Sequence, residues 1–152
     1  MFRLDAEKLG HRSPVAMRTV ERGAIRKFAV ALGDGNPLYL SVEAARAQGY
    51  RDVVAPPTFA VTLLPWDIPG LEMPHAGVLH GEQEFEWGVP ICAGDEIGVV
   101  GWVDAVKARS GQQGTMTMIT VASEGTNQHQ EMAFRARAVL IVTEEAANEH
   151  GR

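Results

Sequence analysis

The second half of the chain alternates between apolar and polar positions. Over residues 79–87, the odd positions hold Leu, Gly, Gln, Phe and Trp, and the even positions hold His80 and three glutamates. A period of two predicts a strand with one face in the core and one in water, with His80 on the polar face. Three further strands are predicted over 96–107, 115–123 and 132–142, and the Gly-rich segment 110–114 predicts a hairpin.

The first half has helical spacing instead. Ile25, Phe28, Ala29 and Leu32 occur at i, i+3, i+4 and i+7, which predicts an amphipathic helix with Thr19 as its N-cap. A shorter helix is predicted over 42–48, capped by Ser41 and ended by Gly49. The residues before about 18 are weakly patterned, and only 14–17 indicate a short strand.

The segment 53–65 is apolar at almost every position. Pro57 suits the first turn of a helix and Pro65 would end one, so the prolines favour a helix over a buried strand. A helix that is apolar all round is one that its neighbours bury on every side. The Pro- and Gly-rich segment 66–76 is predicted to be a loop lying over the surface.

A helical half followed by antiparallel strands predicts an α+β fold, because a sheet must bury its apolar face against another element. The apolar helix at 57–64 is the element expected to pack against the apolar face of the sheet. Residues 1–143 then form one domain, and the charged, Ala-rich segment 144–152 is expected to be a flexible tail.

Composition narrows the classes of function. The chain has 152 residues and a formal net charge of −5, which argues against a nucleic-acid-binding surface and favours a small molecule or a protein as partner. No apolar run is long enough to span a membrane and no export signal is visible, so a cytoplasmic location is expected. The single cysteine, Cys92, is interpreted as a small buried hydrophobe rather than a nucleophile.

The densest cluster of turn-forming residues is Gly33-Asp34-Gly35-Asn36-Pro37. Glycine permits a positive φ, Asp and Asn bond nearby backbone groups, and proline fixes φ. Such a turn can hold Asp34 and Asn36 rigidly in a pocket, or the two side chains can serve only to form the turn.

This turn resembles the Gly-Asp-x-Asn-Pro-hydrophobic-His turn of the MaoC-like hydratases and dehydratases of the hotdog fold. The segments 55–58 (Ala-Pro-Pro-Thr), 80–85 (His-Gly-Glu-Gln-Glu-Phe) and 94–95 (Gly-Asp) extend the resemblance over nearly the whole chain, which looks most like the FAS1-like dehydratase subclass. The resemblance implies a single hotdog domain, with an antiparallel sheet wrapped round a central helix, that works as a dimer or larger assembly.

Members of that family add water to an enoyl thioester, or remove it from an (R)-3-hydroxyacyl thioester, on coenzyme A or acyl carrier protein. Their Asp and His act as base and acid, and a backbone N–H at the start of the central helix holds the thioester oxygen. Here Asp34 remains, but Tyr39 stands where the His is expected, and a phenol with a pKa near about 10 replaces poorly an imidazole near about 6.5. Pro56-Pro57 replaces the family's His-Gly, and proline has no N–H to donate.

These departures lead to one hypothesis and two alternatives. The chain resembles the non-catalytic, substrate-holding subunit of heteromeric mycolic-acid-type dehydratases, in which a sister hotdog subunit supplies the Asp and His. Alternatively it is a self-sufficient homodimer using Asp34 with Tyr39 or His80, or a non-enzymatic acyl-thioester binding or scaffold protein. A hotdog thioesterase is disfavoured, because such enzymes rely on a carboxylate near the central helix and 53–64 contains none.

The candidate site has two parts. The catalytic positions, vestigial or modified, are Asp34, Asn36 and Tyr39. The substrate-binding candidates are Pro57, Thr58, Phe59 and His80. No pair of histidines has the spacing of metal ligands, so neither a metal nor a cofactor is expected beyond the acyl-CoA or acyl-ACP that carries the substrate.

Three further side chains are weighed as candidates. His75 lies in the Pro/Gly-rich loop and is expected to be exposed. Arg135 and Arg137 share one strand face and could meet an acidic carrier protein or the pyrophosphate of coenzyme A, although a solvated face is the default interpretation.

Overall fold

A five-stranded antiparallel sheet dominates the computed structural model, which describes residues 2–74, 76–111 and 114–143. The strands are β1 (Arg3–Leu4), β2 (Ala16–Thr19), β3 (Leu71–Glu72), β4 (Val78–Trp87), β5 (Glu96–Gly111), β6 (Gly114–Thr126) and β7 (Met132–Thr143). The α-helices are α1 (Arg22–Leu32), α2 (Pro37–Leu40) and α3 (Val42–Ala47), and two 3₁₀-helices cover Ala6–Lys8 and Pro57–Leu63. The second is called the Pro57 helix below. The large sheet has the order β2-β5-β6-β7-β4, and β1 pairs with β3 separately.

The period-two pattern predicted the four long strands within a few residues of their ends. The α+β prediction is therefore confirmed, and β5 and β6 form the predicted hairpin, with Gly111 opposite Gly114. Residues 112 and 113 lie outside the described part of the chain.

One strand prediction is wrong in detail, because β4 contains a bulge. The register between β4 and β7 shifts between His80 and Glu82, and the extra residue at Gly81 reverses the alternation on its N-terminal side. Leu79 is consequently 56% exposed rather than buried. His80 shares the inner face with Gln83 and lines a cavity beside it, where its side chain remains exposed.

The helix predicted from Ile25 and its neighbours is α1. Ile25 and Ala29 are fully buried, and Gly33 ends the helix with a left-handed φ of 70°. Thr19 is not its N-cap: Glu21 occupies that position, and the Thr19 hydroxyl donates to Glu96 at 3.1 Å instead. The second predicted helix is α3, whose cap is Ser41, since the Ser41 Oγ accepts from the Ala44 N–H at 3.2 Å.

The helix expected at 57–64 is observed as a 3₁₀-helix over Pro57–Leu63. Phe59, Ala60 and Leu63 on the Pro57 helix point into the main core. Its other side is open in this chain, because Thr58 and Thr62 are exposed and Val61 is 38% exposed. The expectation of burial on every side is therefore wrong for the single chain.

The segment after the Pro57 helix covers one end of the sheet. Ile68 is buried with Val103, Ile119 and Val142 in a second core cluster. The segment approaches β5 closely at Gly101, where a Cβ would come within 2.6 Å of both Ile68 and Pro65. The predicted loop therefore lies over the sheet, but it also contains β3. His75 and the predicted tail 144–152 fall outside the described residues, and none of the described helices is long and apolar enough to cross a membrane.

Candidate functional site

The turn after α1 is built by its own polar side chains. The Asn36 N–H donates to the Asp34 carboxylate at 3.0 Å, and the Leu38 N–H donates to the Asn36 side-chain oxygen at 3.0 Å, so that Asn36 caps α2. Asp34 is exposed and Asn36 is partly buried. Both side chains therefore have a structural role in the turn, and the Asp34 carboxylate remains accessible for a second one.

Tyr39 leaves this turn toward the protein interior. It lies in α2, is partly buried, and packs against the main core cluster. A packed aromatic side chain therefore occupies the place where the family has an imidazole.

The start of the Pro57 helix is poor in free N–H groups. Pro56 and Pro57 have none, and the Phe59 N–H is bonded to the Pro56 carbonyl at 2.8 Å. The Pro57 carbonyl accepts from the Trp87 indole N–H at 3.0 Å, which fixes this end of the helix to the end of β4. Thr58 is exposed here, whereas Phe59 is a core residue in edge-on contact with Phe28 at 5.5 Å between ring centroids.

An apolar cavity of about 370 Å³ lies between the segment 61–74 and the inner face of β4, β6 and β7. Small-molecule pockets commonly span about 300–1,000 Å³ with mostly apolar linings and a few polar groups. The cavity is lined by Val61, Leu64, Pro65, Trp66, Ile68, Leu71, Met73, Pro74, Val78, His80, Gln83, Val121, Ser123, Ala136, Ala138 and Leu140. Its volume and its apolar lining suit a hydrocarbon chain.

Two polar side chains from β4 enter this lining. His80 is exposed beside the cavity, and Gln83 is held by its amide N–H groups, which donate to the Glu84 and Arg137 carbonyls at 3.2 Å. Among the described residues, the Gln83 side-chain oxygen is buried without a hydrogen bond. The neighbouring strand β7 presents Ala136 and Ala138 on this face, and these small side chains leave room for the cavity.

The cavity and the turn are separate places on the molecule. Of the predicted site residues, only His80 lines the cavity. The Pro57 carbonyl lies beside Trp87, whereas His80 lies near the other end of β4, about 20 Å away for a strand that rises about 3.3 Å per residue. Within one chain, His80 is therefore too far from the start of the Pro57 helix to act on the same atom.

The Gly94-Asp95 motif has a structural role. Asp95 is 1% exposed and accepts from the Cys92 N–H at 2.8 Å and from the Gln128 amide at 2.9 Å. Arg51 completes its ion pair, so the buried charge is both bonded and compensated. Cys92 is buried next to it as predicted, and burial raises the pKa of its thiol, which argues against a nucleophile.

Arg135 and Arg137 lie on the outer face of the sheet and are already matched by carboxylates. Arg135 contacts Glu86 at 3.5 Å and Glu124 at 3.6 Å, and Arg137 contacts Asp104 at 3.6 Å. A carrier protein or a pyrophosphate would have to compete with these partners. Within the described residues, no three His, Cys, Asp or Glu side chains converge as metal ligands.

Comparison with known proteins agrees with this architecture. The model of the FAS1-like dehydratase domain region matches residues 7–136. The chain belongs to this family. A UPF0336 protein of Saccharopolyspora erythraea is 39% identical over 144 residues, which cover 91% of this chain and 90% of that protein. A UPF0336 protein of Leifsonia xyli is 34% identical and covers 85% and 88% of the two chains.

Comparison with solved structures shows that this chain has the hotdog fold. The 3R-hydroxyacyl-ACP dehydratase complex HadBC of Mycobacterium tuberculosis superposes with a TM-score of 0.73 at 24% identity, over 91% of this chain and 99% of that chain. The (R)-hydratase of A. caviae involved in PHA biosynthesis gives 0.69 at 19% identity over 91% and 98%. The ChsH1-ChsH2 complex of M. tuberculosis gives 0.70 at 17% identity over 89% and 91%.

The cavity lining is what sequence reasoning missed. Of the residues that line the cavity, the sequence predicts only His80 as a site residue, and the alternation places it on the wrong face of β4. A glycine inside a strand pattern often marks a bulge, so Gly81 was the available signal for the reversed alternation. The alanines at 136 and 138, two small residues at core-facing strand positions, were the available signal for empty space above them.

Proposed function

We propose that this hotdog protein is the substrate-holding subunit of a heteromeric (R)-3-hydroxyacyl-thioester dehydratase or enoyl-thioester hydratase. The observation that carries the proposal is the apolar cavity of about 370 Å³ in a chain whose catalytic turn has a packed Tyr39 and whose Pro57 helix begins with two prolines. The acyl chain of the substrate would occupy the cavity. A second hotdog subunit would supply the His and the oxyanion donor.

The chemistry that this chain lacks explains the need for the second subunit. Water addition requires a base for water, an acid for the α-carbon and a donor to the thioester oxygen. Of these three groups, this chain supplies one, the Asp34 carboxylate. Loss of a single oxyanion donor alone costs about 100-fold or more in rate. Two of the structural neighbours, HadBC and ChsH1-ChsH2, are themselves complexes, which supports a heteromeric assembly.

The proposal is tested by assaying hydration of crotonyl-coenzyme A and of a longer enoyl thioester by the purified chain, alone and mixed with a His-bearing hotdog subunit. We expect turnover by the chain alone to be at least about 100-fold below that of the mixture. The matched variant is Asp34→Asn. Turnover by the chain alone that this substitution abolishes would instead establish a self-sufficient hydratase, and binding of the thioester without turnover in either sample would favour a binding protein.

A further inference from the structure

Among the described strands, β4 forms the long free edge of the sheet. The order β2-β5-β6-β7-β4 places β2 and β4 at the two edges, and β2 has 4 residues whereas β4 has 10. The outer edge of such a strand presents unpaired backbone N–H and C=O groups, which another strand can join. Leu79 and Trp87, near the two ends of β4, are 56% and 53% exposed, so this edge also offers apolar area to a partner.

Three glutamates, Glu82, Glu84 and Glu86, occupy every outward position of β4 beyond the bulge, and all three are exposed. We call them the acidic edge. Their neighbours on β7 are Val139, Arg137 and Arg135, in that order.

The basic residues nearby compensate the negative charge of the acidic edge only in part. Arg135 divides its contacts between Glu86 and Glu124, and Arg137 turns to Asp104. Lys107 and Arg137 line a shallow groove with Glu82 and Glu84. In the part of the chain that the structure describes, however, neither of those two glutamates forms an ion pair.

Antiparallel pairing of two copies along β4 would bring these charges together. Directly opposite residues on paired strands share a face, so a two-fold axis anywhere within 82–86 places Glu opposite Glu. Like charges directly opposite one another destabilise a strand pair. A strand with Lys or Arg at the facing positions would form favourable cross-strand pairs with the acidic edge.

We propose that the acidic edge disfavours pairing of two copies of this chain and selects a second hotdog subunit whose facing edge strand carries basic residues. This inference rests on the heteromeric assembly proposed above and states the chemistry of the partner's surface. The competing interpretation is that the glutamates only keep the edge from pairing with any strand.

The test requires only this protein. The triple variant Glu82→Lys/Glu84→Lys/Glu86→Lys is purified and mixed with the unchanged chain, and dissociation constants are measured by sedimentation equilibrium and native mass spectrometry. We expect the mixture to form a 1:1 dimer at least about 10-fold tighter than either protein forms alone, because Glu–Lys pairs replace the like-charge pairs across the axis. The matched control, Glu7→Lys/Glu21→Lys/Glu43→Lys, changes the net charge equally at exposed positions off the sheet edge and should form no such mixed dimer.

Two results would overturn the inference: a mixture that stays monomeric, or an unchanged chain that dimerises as tightly as the mixture. If the triple variant fails the check of its fold by circular dichroism, the salt dependence of the unchanged chain decides instead. Raising NaCl from about 0.05 M to about 0.5 M screens the repulsion and should tighten self-association several-fold, whereas unchanged or weaker association would contradict the inference. Because no activity is measured, a mixed dimer would stand even if the chain and its sister subunit proved inactive.

Discussion

At the scale of single residues, the turn at 33–37 shows side chains that combine two possible roles. Asp34 and Asn36 each accept a backbone N–H two residues ahead, which alone would justify their presence. The sequence predicted this turn because Gly, Asp, Asn and Pro have known local conformations. It could not separate the turn-forming role from a site-facing role, because either role would use the same oxygen atoms.

The two roles of Asp34 can be separated by substitution. Asp34→Asn keeps a side-chain oxygen that accepts from the Asn36 N–H, so we expect the free energy of unfolding to change little. Asp34→Ala removes the acceptor and should lower that free energy by about 1 kcal/mol. Urea unfolding followed by circular dichroism measures both, and equal destabilisation by Asn and Ala would show that the carboxylate charge, rather than the hydrogen bond, holds the turn.

At the scale of elements, the sequence predicted what local periodicity controls. The strands β4 to β7 follow from alternation, and α1 and α3 follow from spacing and from their end residues, Gly33 and Ser41. At the Pro57 helix, the prolines predicted a helix, but not that it is a 3₁₀-helix. Proline restricts the first turn of both helix types, so it does not distinguish between them. The bulge at Gly81 shifted one residue of register, which was enough to move His80 from the outer to the inner face.

The cavity could not be predicted in the same way, because it is formed by contacts between distant segments. Its walls come from 61–74 and from strands β4, β6 and β7. No local pattern fixes how far these segments stand apart. The separation depends on the size of side chains such as Ala136 and Ala138, whose partners are known only once the strands are paired.

Filling the cavity tests its role. Ala138 lies on β7 between Gln83 on β4 and Val121 on β6, and Ala138→Leu would extend three additional carbon atoms into the space. We expect the affinity for a long-chain enoyl thioester to fall about 10-fold or more, since the displaced length of chain loses about 0.8 kcal/mol per methylene. The affinity for crotonyl-coenzyme A should change much less.

The matched control is Ala122→Leu, which adds the same atoms in the groove on the outer face of β6. It should leave binding of both thioesters unchanged. Isothermal titration calorimetry measures the affinities, and thermal unfolding checks that each variant is folded. Equal binding of long and short thioesters by Ala138→Leu and the unchanged protein would place the acyl chain elsewhere.

At the scale of the whole molecule, ion pairs join segments that are far apart in sequence. Arg12 bonds Glu124 at 2.7 Å while its guanidinium lies 4.2 Å from the centre of the Trp102 ring. Arg22, at the start of α1, binds Asp52 through two hydrogen bonds of 3.0 and 2.6 Å. Asp52 directly precedes the apolar segment 53–65, so this pair fixes the start of α1 to the segment that leads into the core.

The Arg22–Asp52 pair should make stability depend on pH. Its hydrogen bonds to the Arg22 guanidinium lower the pKa of Asp52 in the folded protein, and the bond from the Val53 N–H at 2.8 Å acts in the same direction. The unfolded chain, with an ordinary Asp pKa near about 3.9, then binds more protons in acid than the folded protein does. The stabilisation is therefore complete above about pH 5 and is lost as pH falls through the folded pKa.

Asp52→Asn removes the charge and with it this dependence. We expect the variant to be less stable by about 1 kcal/mol at pH 7, because the pair is bidentate but Arg22 is 53% exposed. The difference from the unchanged protein should shrink as pH falls below about 4, because Asp52 is protonated first in the unfolded chain and, at lower pH, in the folded protein. Urea unfolding at several pH values measures this, with Asp67→Asn as an exposed control. A difference that stays constant with pH would mean that Asp52 stabilises the fold through its hydrogen-bonded shape and not through its charge.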